Sequence, residues 1–243
     1  NITPIETFSA PRAIQVTEYS ELASFGEVNI ELFNKPNIYI PASVRILDGE
    51  KTIYIDPLYV NPLKKADFIL LTHSHADHFS KKDIENVVTE GTIIIAPKSM
   101  IGKLEEYQTQ AVEPNEAYEV NGLQFETLPA YNTKRTGLGI KVHPPRKGYV
   151  GYVLNIDDKK IYHPGDTDVL PELMALKDID VAMIPIDAED GVFTLNIEEA
   201  TQLINHMKPK MVIPIHYEVE QGYVEEFRKG IDVGIGVLVF TEE

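Results

Sequence analysis

The sequence predicts an α/β (α+β) fold in which two β-sheets pack together and helices lie outside them. Short β segments pair as hairpins, most clearly across Asn121-Gly122 and across Asp48-Gly49. Helical segments are interspersed with these strands, which is typical of sheets covered by helices. No clear repeat and no Gly- or Ser-rich linker interrupts the sequence. Residues 28–243 are therefore predicted to be one domain, preceded by an N-terminal arm at residues 1–27.

The first half of the domain is recognised by short apolar runs between turn signals. The run 68–71 is apolar throughout and predicts a fully buried strand. Ser80 is expected to begin a helix with Asp83 as its capping-box partner, and Pro97 to open a second helix that covers 97–107. The other predicted strands lie at 28–32, 37–47, 52–55 and 93–96.

The second half follows the same plan of hairpins and helices. One hairpin turns at Asn121-Gly122 and another at Asp157-Asp158, and Asn196 is expected to cap a helix. That helix is predicted to end near Met207, and a shorter one to cover 223–229. The predicted strands are 117–120, 123–128, 149–156, 160–162, 181–186, 211–215 and 236–240.

Composition limits the kinds of function open to this chain. The net charge of -16 argues against binding nucleic acid through a basic surface. It does not exclude a small anionic substrate, because bound divalent metals would reverse the local sign. Cysteine is absent, so any metal must be held by His, Asp, Glu, Asn or water. No apolar stretch approaches the ~20 residues that a transmembrane helix needs.

A cytoplasmic location is expected, because no charged segment followed by an apolar one marks a leader peptide. Residue 1 is Asn and not Met, so export with a leader that has been removed stays open. Nothing in the sequence predicts an oligomeric state.

The densest group of potential metal ligands directly follows the predicted strand 68–71. His73, His75 and His78, three of the seven histidines, lie within six residues together with Asp77. Imidazole nitrogen and carboxylate oxygen suit zinc, manganese and iron. Asp77 and His78 are adjacent and must point in different directions, so the four donors are not expected to share one ion. The motif therefore predicts two neighbouring metal ions.

Further candidate residues stand near the ends of other predicted strands. Asp166 follows Gly165, which lets the backbone turn tightly and aims the carboxylate back. His216, Asn132 and His143 each come after another strand. Taken singly, each fits a capping residue or an ordinary turn about as well. Strand ends at one edge of a fold are nevertheless where ligand sites form, so these residues are expected to join the histidine cluster.

Together these residues make the chain similar to the metallo-β-lactamase superfamily. The motif His73-x-His75-x-Asp77-His78, then Gly165-Asp166-Thr167, then His216 occur in that family's order. A closer resemblance, over roughly residues 28–220, is to the metal-dependent hydrolases that include ascorbate-phosphate lactonase and N-acylphosphatidylethanolamine phospholipase D. It rests on the segments Ala42-Ser43-Val44, Ile53-Tyr54-Ile55-Asp56-Pro57, Pro129-Ala130-Tyr131-Asn132 and Ile161-Tyr162-His163-Pro164-Gly165-Asp166-Thr167-Asp168.

The resemblance implies a four-layer αββα sandwich with the site at one edge of its two sheets. It also implies a hydrolase with two divalent ions, Zn²⁺ ahead of Mn²⁺ or iron. A metal-bound hydroxide would attack an ester, lactone or phosphodiester bond of a small-molecule substrate. Asp77 or Asp166 would be the catalytic carboxylate that takes up a proton. The implied ligands are His73 and His75 at the first ion, Asp77, His78 and His216 at the second, and Asp166 bridging both.

One position departs from the family's pattern. Asn132 stands where the family usually has a third histidine for the first metal, and an amide oxygen is a weaker ligand than imidazole. Three outcomes are open: Asn132 coordinates weakly, His143 reaches into the gap, or the first site is loose and partly empty. His163 is expected to lie behind the ligands or to face the substrate, and His206 to be structural.

Two other functions are compatible with parts of this pattern. A redox protein with two irons would be expected to carry an acidic residue in place of Asn132. A binding or regulatory protein with a degraded metal site is the stronger alternative, and Asn132 is the sole argument for it. Metal content after purification separates that alternative from the hydrolase.

Overall fold

Two β-sheets pack face to face in this protein and helices cover their outer faces, which confirms the predicted αββα arrangement. No helix in the part of the chain described here is long and apolar enough to cross a bilayer. The cytoplasmic location stays a prediction. The computed structural model describes residues 14–17, 20–33, 39–49, 51–60, 64–134, 138–187, 192–219 and 222–239.

The first half of the chain forms an eight-stranded sheet of strand order β1-β2-β3-β5-β6-β7-β8-β9. Strands β6, β7 and β8 run parallel to one another, so the loop with the histidine motif, which follows β7, lies at the carboxyl end of the parallel part of the sheet. The elements are β1 (Ile14–Thr17), β2 (Ser20–Phe25), β3 (Val28–Phe33), β4 (Tyr39–Ile40), β5 (Val44–Asp48), β6 (Lys51–Ile55), β7 (Phe68–Leu70), α1 (Lys81–Val87), β8 (Ile93–Pro97) and β9 (Thr109–Val112).

The second half forms a seven-stranded sheet of strand order β10-β11-β12-β13-β14-β15-β17, and β4 pairs separately with β16. Antiparallel hairpins come first in this sheet and parallel strands follow. The elements are β10 (Ala117–Val120), β11 (Leu123–Pro129), β12 (Val150–Ile156), β13 (Lys159–His163), α2 (Pro171–Met174), β14 (Val181–Pro185), α3 (Ile197–Met207), β15 (Met211–Ile215), β16 (Tyr217–Glu218), α4 (Tyr223–Gly230) and β17 (Gly236–Val237).

Strand β7 is apolar throughout because both of its faces are buried. Alternate side chains of a strand point to opposite faces, and here both faces are covered. Phe68 and Leu70 belong to the core between the two sheets. Ile69 packs on the other face with Ile84 and Val87 of α1. A strand that is buried on both faces has no polar residues alternating with its apolar ones. The histidine motif therefore begins directly after a strand that is packed on both sides.

The predicted arm at residues 1–27 is in part a component of the first sheet. Residues 1–13 lie outside the described residues. Strands β1 and β2 pair with each other, and β2 pairs antiparallel with β3 from Ser20↔Phe33 to Phe25↔Val28. The boundary placed at residue 28 therefore does not coincide with a boundary in the sheet. The division of the chain into an arm and a single domain stays a prediction.

Several predicted elements differ from the observed ones for local reasons. The helix predicted at 97–107 is a short 3-10 helix, Lys98–Lys103, and Gly102 within it disfavours a longer α-helix. Ser80 caps α1 as expected, but the carboxylate of Asp83 accepts a hydrogen bond from the Val60 backbone instead of completing a capping box. Asn196 forms the complete capping box at α3. Strands β1, β2, β9 and β16 and helix α2 were not predicted.

Candidate metal centre

Side chains from four separate stretches of the chain meet where strands of both sheets end. His73 follows β7, His143 follows β11, Asp166 follows β13 and His216 follows β15. The backbone of His216 has a φ of 55°, a left-handed conformation that turns the chain sharply after its strand. Their meeting requires the two sheets to be aligned at this edge, because no two of these residues share a loop.

The first group contains three histidines, His73, His75 and His143, whose potential ligand atoms all lie within 4.8 Å of one another. Nε2 of His143 lies 3.3 Å from Nε2 of His73. The ring centroid of His75 is 4.6 Å from that of His143 and 4.8 Å from that of His73. Three imidazoles that converge on one point are a donor set for a divalent transition metal.

The second group contains Asp77, His78, Asp166 and His216, again with all potential ligand atoms within 4.8 Å. Nε2 of His216 lies 3.6 Å from Oδ2 of Asp77 and 3.7 Å from Oδ1 of Asp166. Nε2 of His78 lies 3.4 Å from the same Oδ1. The adjacent residues Asp77 and His78 thus reach one group together, while His73 and His75 of the same motif reach the other.

Asp166 lies between the two groups and offers one oxygen to each. Its Oδ2 lies 3.7 Å from Nε2 of His73 and 3.5 Å from Nε2 of His143. Its Oδ1 faces His78 and His216 at 3.4 and 3.7 Å. A carboxylate with this orientation can link two cations placed in the two groups.

Two buried atoms at the centre fit a bound cation. Nε2 of His78 and Oδ1 of Asp166 are buried and make no hydrogen bond with any group in the described part of the protein. A buried polar atom without a hydrogen bond costs about 1–3 kcal/mol, so such atoms need an explanation. Nitrogen and oxygen donors that point at a common space are what a divalent ion requires, and the residues present therefore fit such an ion.

The protonation states of His73, His143 and Asp166 agree with this fit. Burial lowers the pKa of His143 to about 4, and burial followed by the charge of His78 lowers the pKa of His73 well below its usual range. Both rings are therefore neutral at pH 7 and have a lone pair to donate. Burial alone would raise the pKa of Asp166, but the neighbouring histidines hold it well below its usual range. Asp166 is therefore an ionised carboxylate.

Asp56 supports the centre from behind, and the sequence analysis did not single it out as a site residue. Its carboxylate accepts hydrogen bonds from the backbone N–H and the hydroxyl of Thr72, at 2.8 and 2.5 Å. Its Oδ2 also lies 2.8 Å from Nδ1 of His78. With Nδ1 donating to Asp56, Nε2 of His78 is left to face Asp166, as is usual for metal-binding histidines. The available signal was an aspartate directly after strand β6.

Gly165 allows the approach between these supporting residues and Asp166. Its φ is +62°, and a β-carbon at this position would lie 2.8 Å from the β-carbon of Thr72. Real β-carbons do not approach so closely, so the turn before Asp166 needs a glycine. Gly165 therefore forms the predicted tight turn because its backbone approaches Thr72 closely. Thr72 in turn donates hydrogen bonds to Asp56.

Asn132 does not face the centre; it holds His143. The side-chain oxygen of Asn132 accepts a hydrogen bond from the backbone N–H of His143 at 2.9 Å and lies 2.8 Å from its Nδ1. The amide nitrogen donates to Asp168 and to the carbonyl of Phe193, both at 3.0 Å. With both contacts of its oxygen made to the backbone and Nδ1 of His143, the amide does not offer a lone pair to the space between the Nε2 atoms of His73 and His143. Of the three outcomes left open by the sequence, the structure brings His143 beside His73.

Asp168 is a second supporting residue that the sequence analysis missed. Besides Asn132, its carboxylate accepts hydrogen bonds from the hydroxyl of Thr133 at 2.6 Å and from the backbone N–H of Lys134 at 3.0 Å. The chain Asp168–Asn132–His143 therefore leads from a buried carboxylate to an imidazole whose Nε2 points at the centre.

Replacing Asn132 by leucine is expected to lower metal affinity 10–100-fold, the usual loss when a residue that orients a ligand is removed. Leucine has a similar size but offers no acceptor to Nδ1 of His143, so the ring loses its fixed orientation. Titration of the metal-free protein with Zn²⁺ measures the effect. The control is Asn155→Leu, the same change at an exposed position of β12. Equal affinities in the two variants would contradict the role given to Asn132.

The remaining predicted residues lie outside the two groups. The ring of His163 is fully buried, with Nε2 2.8 Å from the carbonyl of Ala42 and Nδ1 accepting from the backbone of Gly165. It therefore lies behind the ligands and does not face a substrate. His206 is exposed on α3, with Nε2 2.9 Å from the carbonyl of Met174.

Comparisons with known proteins agree with this geometry. Residues 39–216 match the model of a beta-lactamase superfamily domain. The chain is 32% identical over 202 residues to a UPF0173 metal-dependent hydrolase of Thermococcus onnurineus, covering 74% of this chain and 85% of that protein. It is 28% identical over 213 residues to another from Nanoarchaeum equitans, covering 84% and 96%. A crystal structure of a candidate metal-dependent hydrolase from Parabacteroides distasonis superposes with a TM-score of 0.74 at 28% identity, covering 94% and 97%.

Proposed function

This chain belongs to the beta-lactamase superfamily and is a UPF0173 metal-dependent hydrolase, and from this premise we propose that it uses two divalent ions to hydrolyse an ester, lactone or phosphodiester bond. The observation that carries the proposal is Asp166, whose two oxygens face two different groups of donors. The resemblance to ascorbate-phosphate lactonase and N-acylphosphatidylethanolamine phospholipase D stays a prediction. Zn²⁺ is the first choice for both ions, and Mn²⁺ or iron suits the same donors.

Each ion is assigned to one group of residues. The neutral imidazoles of the first group suit one ion, and the carboxylate and imidazoles of the second group suit the other. His143 thereby takes the place of the third histidine that the family pattern leads one to expect at Asn132. The proposed ligands are His73, His75 and His143 for the first ion, Asp77, His78 and His216 for the second, and Asp166 for both.

The protein's part in the reaction is to hold these groups in place and to move a proton. The ions, when bound, supply hydroxide near neutral pH and neutralise negative charge that develops on the substrate. Asp166 is buried and ionised, which makes it a fixed negative charge. Asp77 is half exposed, with 50% of its side chain accessible. Burial would raise its pKa, but the hydrogen bond with His216 and the charge of His78 lower it. Asp77 is therefore ionised and within reach of water, so it is the carboxylate that would take up the proton of the attacking water and then deliver it to the leaving group.

An anionic substrate is supported by cations near the centre. Lys103 lies close enough to His75 that, after burial, its charge contributes to lowering the pKa of His75. Lys141 and Arg146 flank His143 in sequence. Within the described residues, none of these three cations forms an ion pair. Because the net charge of the chain is -16, we still predict that it does not bind nucleic acid.

Removal of metal is expected to abolish hydrolysis, and re-addition of Zn²⁺ or Mn²⁺ to restore it. Metal analysis of the reloaded protein should give two ions per chain. Chromogenic ester, lactone and phosphodiester substrates measure the activity, and absorption in the visible range separates a di-iron redox protein from a hydrolase. Full activity of a protein shown to be metal-free would refute the proposal.

A further inference from the structure

The aromatic ring of Tyr149 packs against all three histidines of the first group. Its centroid lies 5.4 Å from that of His73 and 6.1 Å from those of His75 and His143. The ring planes meet at 48°, 75° and 67° in the same order, the tilted and edge-on arrangements that aromatic pairs prefer. Tyr149 is only 5% exposed. Among the ring contacts of the described residues, none joins Tyr149 to a histidine of the second group.

The hydroxyl of Tyr149 makes a separate contact with the histidine motif. It lies 3.1 Å from Oγ of Ser74, 75 residues away in sequence. Ser74 stands between His73 and His75, so a hydrogen bond to its side chain restricts the backbone from which both of these rings extend. Tyr149 thus contacts each ring of the first group and also holds the residue that joins two of them.

Two further hydrogen bonds connect the start of β12 to the same stretch of chain. The backbone N–H of Val150 donates to the carbonyl of Thr72 at 3.2 Å. The hydroxyl of Tyr152 donates to the carbonyl of Leu71 at 2.7 Å. Strand β12 belongs to the second sheet, and residues 71–74 follow β7 of the first. These contacts therefore fix the histidine motif relative to the second sheet at the edge where the metal centre lies.

His143 is held by the same part of the second sheet. Between His143 and Tyr149 the chain forms a short 3-10 helix, Pro145–Lys147, which ends at Gly148 in a left-handed conformation with φ 59°. This compact turn brings the ring of Tyr149 back to the ring of His143. Asn132 holds the other side of that ring through Nδ1. Tyr149 is therefore a link between the histidine motif and the histidine that comes from the second half of the chain.

We propose, on the basis of the proposed function, that Tyr149 is a positioning residue for the first metal ion. Its ring and its hydrogen bond with Ser74 keep the three imidazoles of the first group aimed at one point. Ligands must be held within about 0.5 Å of their working geometry by the packing and hydrogen bonds behind them. Because the ring contacts only the first group, its loss weakens one ion and leaves the other unchanged.

The first experiment removes the ring and measures metal binding. Metal-free wild type, Tyr149→Leu and Tyr149→Phe are titrated with Zn²⁺. In Tyr149→Leu the affinity for one of the two ions is expected to fall roughly 10–100-fold, as when other residues that orient metal ligands are removed. The affinity for the second ion should not change. Tyr149→Phe keeps the ring and loses only the hydrogen bond, so its affinity should lie between those of wild type and Tyr149→Leu. Wild-type affinities for both ions in Tyr149→Leu would overturn the inference.

Tyr118→Leu is the matched control. The ring of Tyr118 stacks on Phe125 at 5.3 Å and its hydroxyl accepts a hydrogen bond from the backbone N–H of Glu113, but no ring contact or hydrogen bond described here joins it to the metal centre. Thermal unfolding followed by circular dichroism shows that each variant is folded. With Co²⁺ in place of Zn²⁺, the visible spectrum should change in Tyr149→Leu and not in Tyr118→Leu. Equal loss of metal in both variants would mean general destabilisation and would overturn the inference.

The hydrogen bond between Ser74 and Tyr149 is tested by removing it from each end. Ser74→Ala, Tyr149→Phe and the double variant are titrated in the same way. The double variant is expected to lose no more affinity than either single one, because all three lack the same bond. Losses that add up would show that the two side chains act separately and would overturn the role given to this bond.

Metal binding and turnover separate this inference from the proposed function. If Tyr149→Leu weakens one ion while the loaded wild type cleaves no ester, lactone or phosphodiester, the hydrolase function fails and the positioning role stands. If the wild type is an active hydrolase and neither ion depends on Tyr149, the positioning role fails and the hydrolase function stands.

Discussion

Replacement of Asp77 and His78 by alanine is expected to abolish hydrolysis while the fold survives. The double change removes two of the four donors of the second group and leaves Asp166 with His216 alone on that side. Loss of a catalytic metal removes several kcal/mol of transition-state stabilisation, which corresponds to a fall in kcat/KM of at least ~10³-fold. Rates with chromogenic substrates and bound metal per chain measure the effect.

The fold of this double variant needs a separate measurement, because His78 is buried against Asp56. Thermal unfolding followed by circular dichroism shows whether the variant remains folded. The single change Asp77→Ala serves as the second variant, since its side chain is half exposed and its loss leaves no buried cavity. A folded double variant with unchanged turnover would remove the claim that this group takes part in the reaction.

Replacement of His143 by alanine is expected to reduce bound metal from two ions toward one per chain and to lower the hydrolysis rate by at least ~10-fold. His143 is the one imidazole of the first group that comes from outside the histidine motif, and its Nε2 lies 3.3 Å from that of His73. With two neutral imidazoles left, the first ion would depend on Asp166 and water. Metal analysis and kcat/KM together measure the outcome.

His206→Ala is the control for this change, because His206 is an exposed histidine on α3 whose ring contacts only a backbone carbonyl among the hydrogen bonds described. His143→Gly supplemented with free imidazole tests the role of the ring directly, since partial recovery of activity would not follow from a purely structural role. Equal and small losses in His143→Ala and His206→Ala would mean that His143 is only a loop residue.

Where a local rule governs the structure, the sequence was sufficient. Asn121-Gly122 gives the hairpin between β10 and β11, with both residues in left-handed conformations. Asn196 and Glu199 form the capping box of α3. The apolar run before the histidine motif is a buried strand. In each case the interacting groups are a few residues apart, so their chemistry can be seen in a short window.

Interactions between distant residues were harder to predict. Strand β2 is extended because the edge of β3 offers hydrogen bonds to it, and β1 is extended because β2 in turn offers hydrogen bonds to β1. The weak pattern of their own sequence does not show this. The helix expected from Pro97 is a short 3-10 helix. Asp56 and Asp168 were visible only as aspartates after strands, because their partners Thr72 and Asn132 lie 16 and 36 residues away.

By itself, the sequence determined the type of site: three histidines and an aspartate within six residues, no cysteine, and further donors after strands predict a metal centre, and the family resemblance that these motifs carry implies a hydrolase. Only the tertiary structure decided that Asn132 contacts His143 and that the ring of His143 lies beside His73. A loop of the second sheet turns so that the amide of Asn132 is occupied by His143, Asp168 and Phe193, and the ring of His143 is carried to His73, 70 residues away in sequence. That choice depends on how the two sheets align at one edge, because a side chain becomes a ligand only where packing brings its lone pair toward the others.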